Sequence, residues 1–138
     1  MSGNASTGTA RSRAPRRGGG FTLIEMLVVL VVIAMLLTIA VPRYLHSLAR
    51  SKEAVLKQDL SAMRESIDKF YGDTGKFPPT LAALVESRYL RSIPEDPIAK
   101  SSELWVPVQA DDPDDTGVKD VHSGAQGAGL NGIPYAQW

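Results

Sequence analysis

The sequence predicts an α+β fold in which a long N-terminal helix, half in a membrane and half amphipathic, packs on a small C-terminal domain. Three observations lead to this prediction. Residues 21–41 form an apolar run, apolar residues then recur at helical spacing as far as residue 71, and two short segments within residues 104–121 are rich in β-branched residues. The C-terminal domain is therefore expected to hold a short helix and a small antiparallel sheet.

The apolar run, FTLIEMLVVLVVIAMLLTIAV, contains one charged residue, Glu25, and is followed at once by Pro42. At a rise of ~1.5 Å per residue this run would span ~31 Å as a helix, about one hydrocarbon core. Its large apolar side chains favour insertion by ~4–8 kcal/mol, more than the ~2.5–3.5 kcal/mol that a central acid costs. The run therefore predicts a transmembrane helix, and its acid predicts a functional residue that needs a partner.

Residues 1–20 form a leader with four arginines and no acid. The arginines are Arg11, Arg13, Arg16 and Arg17. A basic segment ahead of an apolar one stays on the cytoplasmic side of the membrane. A signal-anchor helix is one interpretation. A cleaved secretory signal peptide fits less well, because the apolar run is too long and no small-x-small cleavage site follows it.

The junction Gly20-Phe21-Thr22-Leu23-Ile24-Glu25 resembles the class III signal of type IV pilins and type II secretion pseudopilins. The resemblance implies that a membrane peptidase cuts between Gly20 and Phe21 on the cytoplasmic side and N-methylates Phe21. Cleavage would leave a cationic amine on Phe21. Pairing of that amine with Glu25, within one subunit or between two, would lower the cost of a charge in hydrocarbon. The alternative is that Glu25 has no such partner and that its side chain only reaches the lipid headgroups.

Composition limits what the rest of the chain can be. The 138 residues carry 15 basic and 15 acidic side chains, and removal of the leader leaves 11 against 15. A mature charge of about −4 gives no reason to expect nucleic-acid binding. Residues 42–138 suffice for one small domain, and with no cysteine that domain has no disulfide. Because many type IV pilins close their C-terminal loop with a disulfide, its absence favours a pseudopilin.

Residues 21–42 are assigned to the membrane and filament-core helix, and residues 43–72 to an amphipathic continuation. Pro42 removes the amide that would bond the Thr38 carbonyl, so a kink or local melting is expected there. The apolar stripe of the continuation comprises Leu45, Leu48, Val55 or Leu56, Leu60, Met63, Ile67 and Phe70. We expect its later part to pack on the domain and its earlier part to pack on neighbouring helices. Gly72 to Gly75 should end the helix.

Residues 73–138 are predicted to form the globular region. The turn around Phe77-Pro78-Pro79 resembles that of type II secretion major pseudopilins, the G subunits. Thr80 can cap a helix over residues 81–87, with Leu84 and Val85 facing inward. Strands are predicted over 104–108 and 117–121, with Pro107 at an edge or bulge. In the Gly-rich tail, residues 123–138, Tyr135 and Trp138 are expected to pack into the small core.

Residues 111–115, Asp-Asp-Pro-Asp-Asp, form an acidic turn that raises the question of a metal. The weak candidate ligands are Asp111, Asp112, Asp114, Asp115, Asp120 and Ser123. Ca²⁺ prefers six to eight oxygen ligands, and the G subunits that this chain resembles bind it in their C-terminal loop. Ser123 matches that family site, but Gln126 stands where the family has an aspartate, and a further aspartate near the end is missing. We therefore expect no cofactor and a solvated turn, with a different Ca²⁺ site as the alternative.

Nothing in the sequence favours an enzyme. His46 and His122 are isolated, no cysteine nucleophile is available, and no phosphate-binding loop or HExxH motif occurs. The leading hypothesis is a structural subunit of the pseudopilus of a type II secretion system. A type IV pilin for adhesion, motility or DNA uptake is the alternative, followed by a membrane-anchored periplasmic binding domain that never polymerises.

The resemblance also implies partners and a location. The partners would be further copies of the chain, other pseudopilins, the prepilin peptidase, an inner-membrane assembly platform and the membrane itself. An ATPase elsewhere in the machine would supply the work of assembly. The chain would cross the inner membrane once, with its C-terminal domain in the periplasm.

Overall fold

The computed structural model describes residues 1–10, 12, 14 and 18–138, in two compact units, Met1–Ile39 and Ala40–Trp138. Its elements, in chain order, are α1 (Leu23–Thr74), α2 (Leu81–Glu86), β1 (Val106–Gln109), β2 (Val118–His122) and a 3₁₀ turn (Tyr135–Gln137). The predicted α+β class is confirmed. The leader arginines Arg11, Arg13, Arg16 and Arg17, which carry the prediction of a cytoplasmic leader, lie outside the described residues.

Helix α1 is 52 residues long and contains Pro42. The chain is helical on both sides of this proline, so the expectation of local melting there is wrong. A proline removes one amide donor, here the partner of the Thr38 carbonyl, and long apolar turns on each side can retain the remaining hydrogen bonds. Pro42 therefore interrupts the hydrogen-bond ladder without ending the helix.

The later part of α1 supplies one wall of the core. Leu56, Leu60, Met63 and Ile67 are buried at steps of four, three and four, as the amphipathic pattern predicts. Val55 remains 45% exposed, so the stripe passes through Leu56.

Helix α1 ends where the glycines predict. Gly75 has a φ of 73° and donates its amide to the carbonyl of Tyr71 at 2.8 Å. A left-handed glycine directly after the last turn is a common helix terminator, since glycine has no Cβ to clash in that conformation.

The sheet consists of β1 and β2, paired antiparallel, with Pro107 opposite Val121 and Val108 opposite Asp120. The register is irregular between Val108 and Gln109, where Gln109 pairs with Val118 and Lys119 is left over. Both Val118 and Val121 are buried, a spacing of three that the extra residue makes possible. Each strand lies one or two residues later than predicted.

The remaining core comes from α2 and the connecting segments. Thr80 caps α2 by accepting a hydrogen bond from the Ala83 amide at 3.2 Å, as predicted. Leu84 is buried, whereas Val85 is only half-buried. Trp105 is buried just before β1, and its indole donates to the carbonyl of Pro94 at 2.8 Å. That contact keeps Trp105 out of the strand to which it was assigned.

Candidate functional site

The junction between leader and helix forms the first candidate site. Thr22 caps α1: its Oγ1 accepts the Glu25 amide at 3.2 Å, and its carbonyl accepts the Met26 amide at 3.1 Å. Thr22 and Glu25 thus stand at the spacing of a capping box. Because α1 begins at Leu23, the Gly20–Phe21 peptide bond lies in non-helical chain just before it. Both residues are exposed, and the Phe21 ring is 75% exposed.

Glu25 lies in the first turn of α1. The N-terminal end of a helix carries partial positive charge from its free amides, which stabilises a nearby carboxylate. Among the described residues, Glu25 belongs to none of the ion pairs, which involve Arg64, Lys69, Lys119 and His122. Its carboxylate is therefore available to a partner from outside the described contacts.

The first part of α1 exposes apolar side chains on every side. Its large side chains from Leu23 to Val41 are all exposed, and the most apolar stretch has no buried residue. By length and composition α1 could cross a membrane. A surface of this kind needs a cover, which either lipid or apolar helices of other copies can provide.

The second candidate site is the C-terminal tail, which is attached to α1 by a buried acid. Glu53 is 8% exposed, and its Oε1 accepts the Leu130 amide at 2.7 Å and the Tyr135 hydroxyl at 3.0 Å. Tyr135 is also 8% exposed, and burial together with the hydrogen bond to Glu53 raises the pKa of its phenol. The carboxylate thus satisfies two donors of the tail, of which the Tyr135 hydroxyl would otherwise be buried without a partner.

Trp138 packs over the outside of this attachment. Its ring meets the Tyr135 ring edge-on at 5.2 Å, and the Lys57 ammonium lies 4.9 Å from its centroid. Its indole donates to the carbonyl of Ile133 at 3.2 Å. The prediction for Tyr135 is confirmed, whereas Trp138 is only half-buried and packs at the margin of the core.

Ser123, the candidate ligand that matches the calcium site of the family, is hydrogen-bonded to a second buried acid. Asp96 is fully buried; its Oδ2 accepts the Ser123 hydroxyl, and its Oδ1 accepts the amides of Ile98 at 2.8 Å and Ala99 at 3.0 Å. The Ser123 oxygen in turn accepts the Ala125 amide at 3.1 Å. These bonds connect the start of the tail to the segment that holds Asp96.

The candidate aspartates do not converge. Asp111 pairs with Lys119, and Asp112 accepts the Asp114 amide at 2.9 Å. Asp115 accepts the amides of Phe77 at 2.9 Å and Gly117 at 3.3 Å, so it holds the turn rather than facing solvent alone. Within residues 1–10, 12, 14 and 18–138, no group of three or more His, Cys, Asp or Glu residues is arranged to hold a metal ion.

Asp120, the remaining candidate aspartate, pairs with Arg64 at 2.7 Å. Partial burial favours the neutral form of Asp120. The hydrogen bonds from the Val121 amide and from Arg64 outweigh that effect and hold its pKa below the usual range.

Both buried acids, Glu53 and Asp96, and the helix cap Thr22 were not predicted from the sequence. Glu53 extends the three–four spacing of Leu56, Leu60 and Met63 by one step, and an acid on an apolar stripe is the signal that would have revealed it. Asp96 has only the weaker signal of an aspartate between prolines. The Thr-x-x-Glu spacing would have identified Thr22.

Comparison with known proteins adds to this geometry. Residues 15–41 match the family model described as a prokaryotic N-terminal methylation motif. The chain is similar to type II secretion system core protein G of Pseudomonas aeruginosa, with 30% identity over 108 residues, 67% of this chain and 76% of that protein. It is also 27% identical to the core protein G of Dickeya chrysanthemi over 147 residues, 85% of this chain and 96% of that protein.

A shorter similarity extends to pilins. The type IV major pilin protein PilA of Myxococcus xanthus is 35% identical over 66 residues, 48% of this chain and 30% of that protein. No solved structure matches the chain.

We predict that Glu53→Ala destabilises the folded chain by about 2–4 kcal/mol, because it leaves the buried Tyr135 hydroxyl without an acceptor and removes the hydrogen bond from the Leu130 amide. Urea unfolding of the detergent-solubilised chain, followed by tryptophan fluorescence, measures the change. Glu65→Ala is the matched control, since Glu65 is an exposed acid of the same helix whose pair with Lys69 is screened by solvent. Equal losses for the two variants would contradict the role of Glu53.

We also predict that the melting temperature of the chain is the same in excess Ca²⁺ and in chelator. Saturation to 100 times the Kd would stabilise the folded state by ~2.7 kcal/mol and raise the melting temperature by roughly 10–20 °C. The Asp112→Asn/Asp114→Asn variant is the control. A calcium-dependent rise that this variant abolishes would establish a metal site in the acidic turn.

Proposed function

Because the chain belongs to the pilin-like family of type II secretion system core protein G, we propose that it is a structural pseudopilin subunit that polymerises through α1 into the pseudopilus of a type II secretion system. One observation carries the proposal. The junction from Gly20 to Glu25 opens a helix whose apolar side chains are exposed on every side. Such a helix needs lipid or other copies around it, and the junction is matched by the methylation motif.

Processing is the first step of the proposed cycle. The prepilin peptidase cuts the Gly20–Phe21 bond on the cytoplasmic side, releases residues 1–20 and methylates the new amine of Phe21. The geometry supports this step, because the bond is exposed and precedes the helix cap at Thr22. A peptidase can thus reach it without unwinding α1.

The processed subunit then waits in the inner membrane. Residues 21–42 cross the bilayer once, residues 43–72 continue the helix beyond it, and residues 73–138 form the globular region in the periplasm. The apolar composition of the first segment supports the crossing. The basic leader supports the orientation, since positive flanks stay cytoplasmic.

Assembly exchanges lipid around α1 for the helices of other copies. Lipid is about as apolar as leucine, so this exchange gives little net free energy by itself. Packing and a pair between Glu25 and the amine of a neighbouring Phe21 supply specificity, and an ATPase working through the assembly platform supplies work. Leu45 and Leu48, exposed next to Pro42, are available to neighbouring helices. The chain itself catalyses no reaction in this scheme.

A type IV pilin is the second candidate, and the match to the Myxococcus xanthus pilin favours it. That match spans less of both proteins than the matches to core protein G do. Deletion of the gene separates the two functions: a pseudopilin deletion abolishes secretion of exported proteins, whereas a pilin deletion abolishes adhesion, motility or DNA uptake.

We predict that the mature protein lacks residues 1–20 and begins at N-methyl-Phe21. Intact-mass measurement of the membrane-extracted protein tests this. Gly20→Val should block cleavage, because the family's peptidase cuts after glycine, and the matched Gly18→Val change two residues earlier should not. Full-length protein from the unaltered gene, or a cut after residue 41, would contradict the pseudopilin proposal.

We predict that Glu25→Leu inserts into the membrane at least as well as the unaltered chain but forms few filaments. The substitution replaces a cost of up to ~2.5–3.5 kcal/mol by a gain of ~0.3–0.6 kcal/mol, yet removes the partner of the Phe21 amine. Cysteine crosslinking between subunits and filament yield on overexpression are the readouts, with Leu27→Ala as a control on the same helix. Normal filaments from Glu25→Leu would show that Glu25 is not needed for assembly.

A further inference from the structure

A basic groove lies on α1 directly after the apolar run. It has a volume of about 360 Å³ and is lined by Pro42, Arg43, His46, Ser47 and Arg50. We name these five residues the juxtamembrane groove. The side chains of Arg43, His46 and Arg50 are exposed and stand three and four residues apart, so they share one face of the helix.

The charge of this groove is uncompensated. The sequence contains no acid between Glu25 and Glu53, and Lys52 adds a further cation beside the groove. Among the described residues, the side chains at 43, 46 and 50 take part in no ion pair. Glu53, the first acid along the helix, already has its Oε1 bonded to Leu130 and Tyr135. The groove therefore presents free positive charge to whatever lies beside it.

The axial position of these three side chains matches a lipid headgroup layer. From Val41 to Arg43, His46 and Arg50 the rise is ~3, ~8 and ~14 Å, and the headgroup region of one leaflet is ~5–8 Å thick. Side chains on a helix lean towards its N-terminus, here towards the apolar run, which brings the Arg50 guanidinium closer to that layer. The two guanidinium groups and the imidazole of His46 can thus reach phosphates at the same membrane surface.

We propose that the juxtamembrane groove binds the phosphates of anionic phospholipids in the periplasmic leaflet and holds the unassembled subunit at the membrane surface. The inference rests on the membrane-anchored state of the proposed function. Guanidinium groups suit the task because their planar array of donors matches phosphate oxygens. When a subunit leaves the bilayer for the filament, the groove must release these headgroups.

A second copy of the chain is a weaker occupant. Its acidic turn would have to supply the carboxylates, and most of these are engaged: Asp111 with Lys119, Asp112 with the Asp114 amide, and Asp115 with the amides of Phe77 and Gly117. The bilayer, in contrast, must surround the run that ends at Val41 if the chain is anchored as proposed. Proximity and charge together favour the headgroups.

The full chain in vesicles tests the inference. Phosphatidylcholine vesicles carry trace spin-labelled phosphatidylglycerol or spin-labelled phosphatidylcholine, and the immobilised fractions give the relative association of the anionic lipid. A cation near an anionic surface contributes roughly a fivefold factor. We expect Arg43→Gln/Arg50→Gln to lower the preference for phosphatidylglycerol fivefold or more. Arg88→Gln/Arg91→Gln, which removes two exposed arginines after α2, should leave it unchanged.

The unaltered chain and the two double variants carry the same leader arginines. A difference in lipid preference between them therefore comes from the groove. An equal preference in both double variants would overturn the inference. So would a preference that persists in 1 M salt, where screening extends over only ~3 Å. A crosslink between cysteines at positions 46 and 114 of two copies, without lipid preference, would assign the groove to a second copy. Release of the unaltered chain from vesicles by alkaline carbonate would instead refute membrane anchoring, and with it the proposed function.

Discussion

The hydrogen bonds from the tail to the buried carboxylate of Glu53 are the interaction on which the rest of the C-terminal unit depends. The tail is glycine-rich, and the chain has no cysteine to close it. A flexible segment of this kind loses much backbone entropy on ordering, so its own side chains can hardly hold it in place. Glu53 provides one acceptor for both the Leu130 amide and the Tyr135 hydroxyl, and Trp138 then covers Tyr135 from outside.

This attachment lets α1 serve two purposes. Its later turns bury Leu56, Leu60, Met63 and Ile67 against the domain, so those turns are fixed by tertiary contacts. Its earlier turns keep their apolar side chains exposed and remain available to lipid or to other copies. A helix that is apolar all round has no stable solvated state, and its surroundings must change from lipid to protein if subunits are to leave the membrane. The pseudopilin proposal follows from that division.

Periodicity and turn chemistry predicted the fold well because both are local properties. The helix of α1, its end at Gly75 and the cap at Thr80 each follow from residues within one or two turns. The strands lie one or two residues away from their predicted bounds, because the extra Lys119 and the indole bond of Trp105 to Pro94 depend on distant partners. The bond between Asp96 and Ser123 could not be foreseen for the same reason, since the two residues are far apart in the sequence. The cleavage site and Glu25 rest on a motif, and their roles remain predictions.

The most direct measurement is a cryo-electron microscopic reconstruction of filaments assembled when the chain is overexpressed with its secretion genes. The proposed function predicts a helical filament in which residues 23–41 of different copies pack together at the axis, with the globular regions outside. It also predicts Glu25 within reach of the Phe21 amine of a neighbouring subunit. A chain that stays a membrane monomer under these conditions, or a filament held together by the globular regions with residues 23–41 outside the shared core, would contradict it.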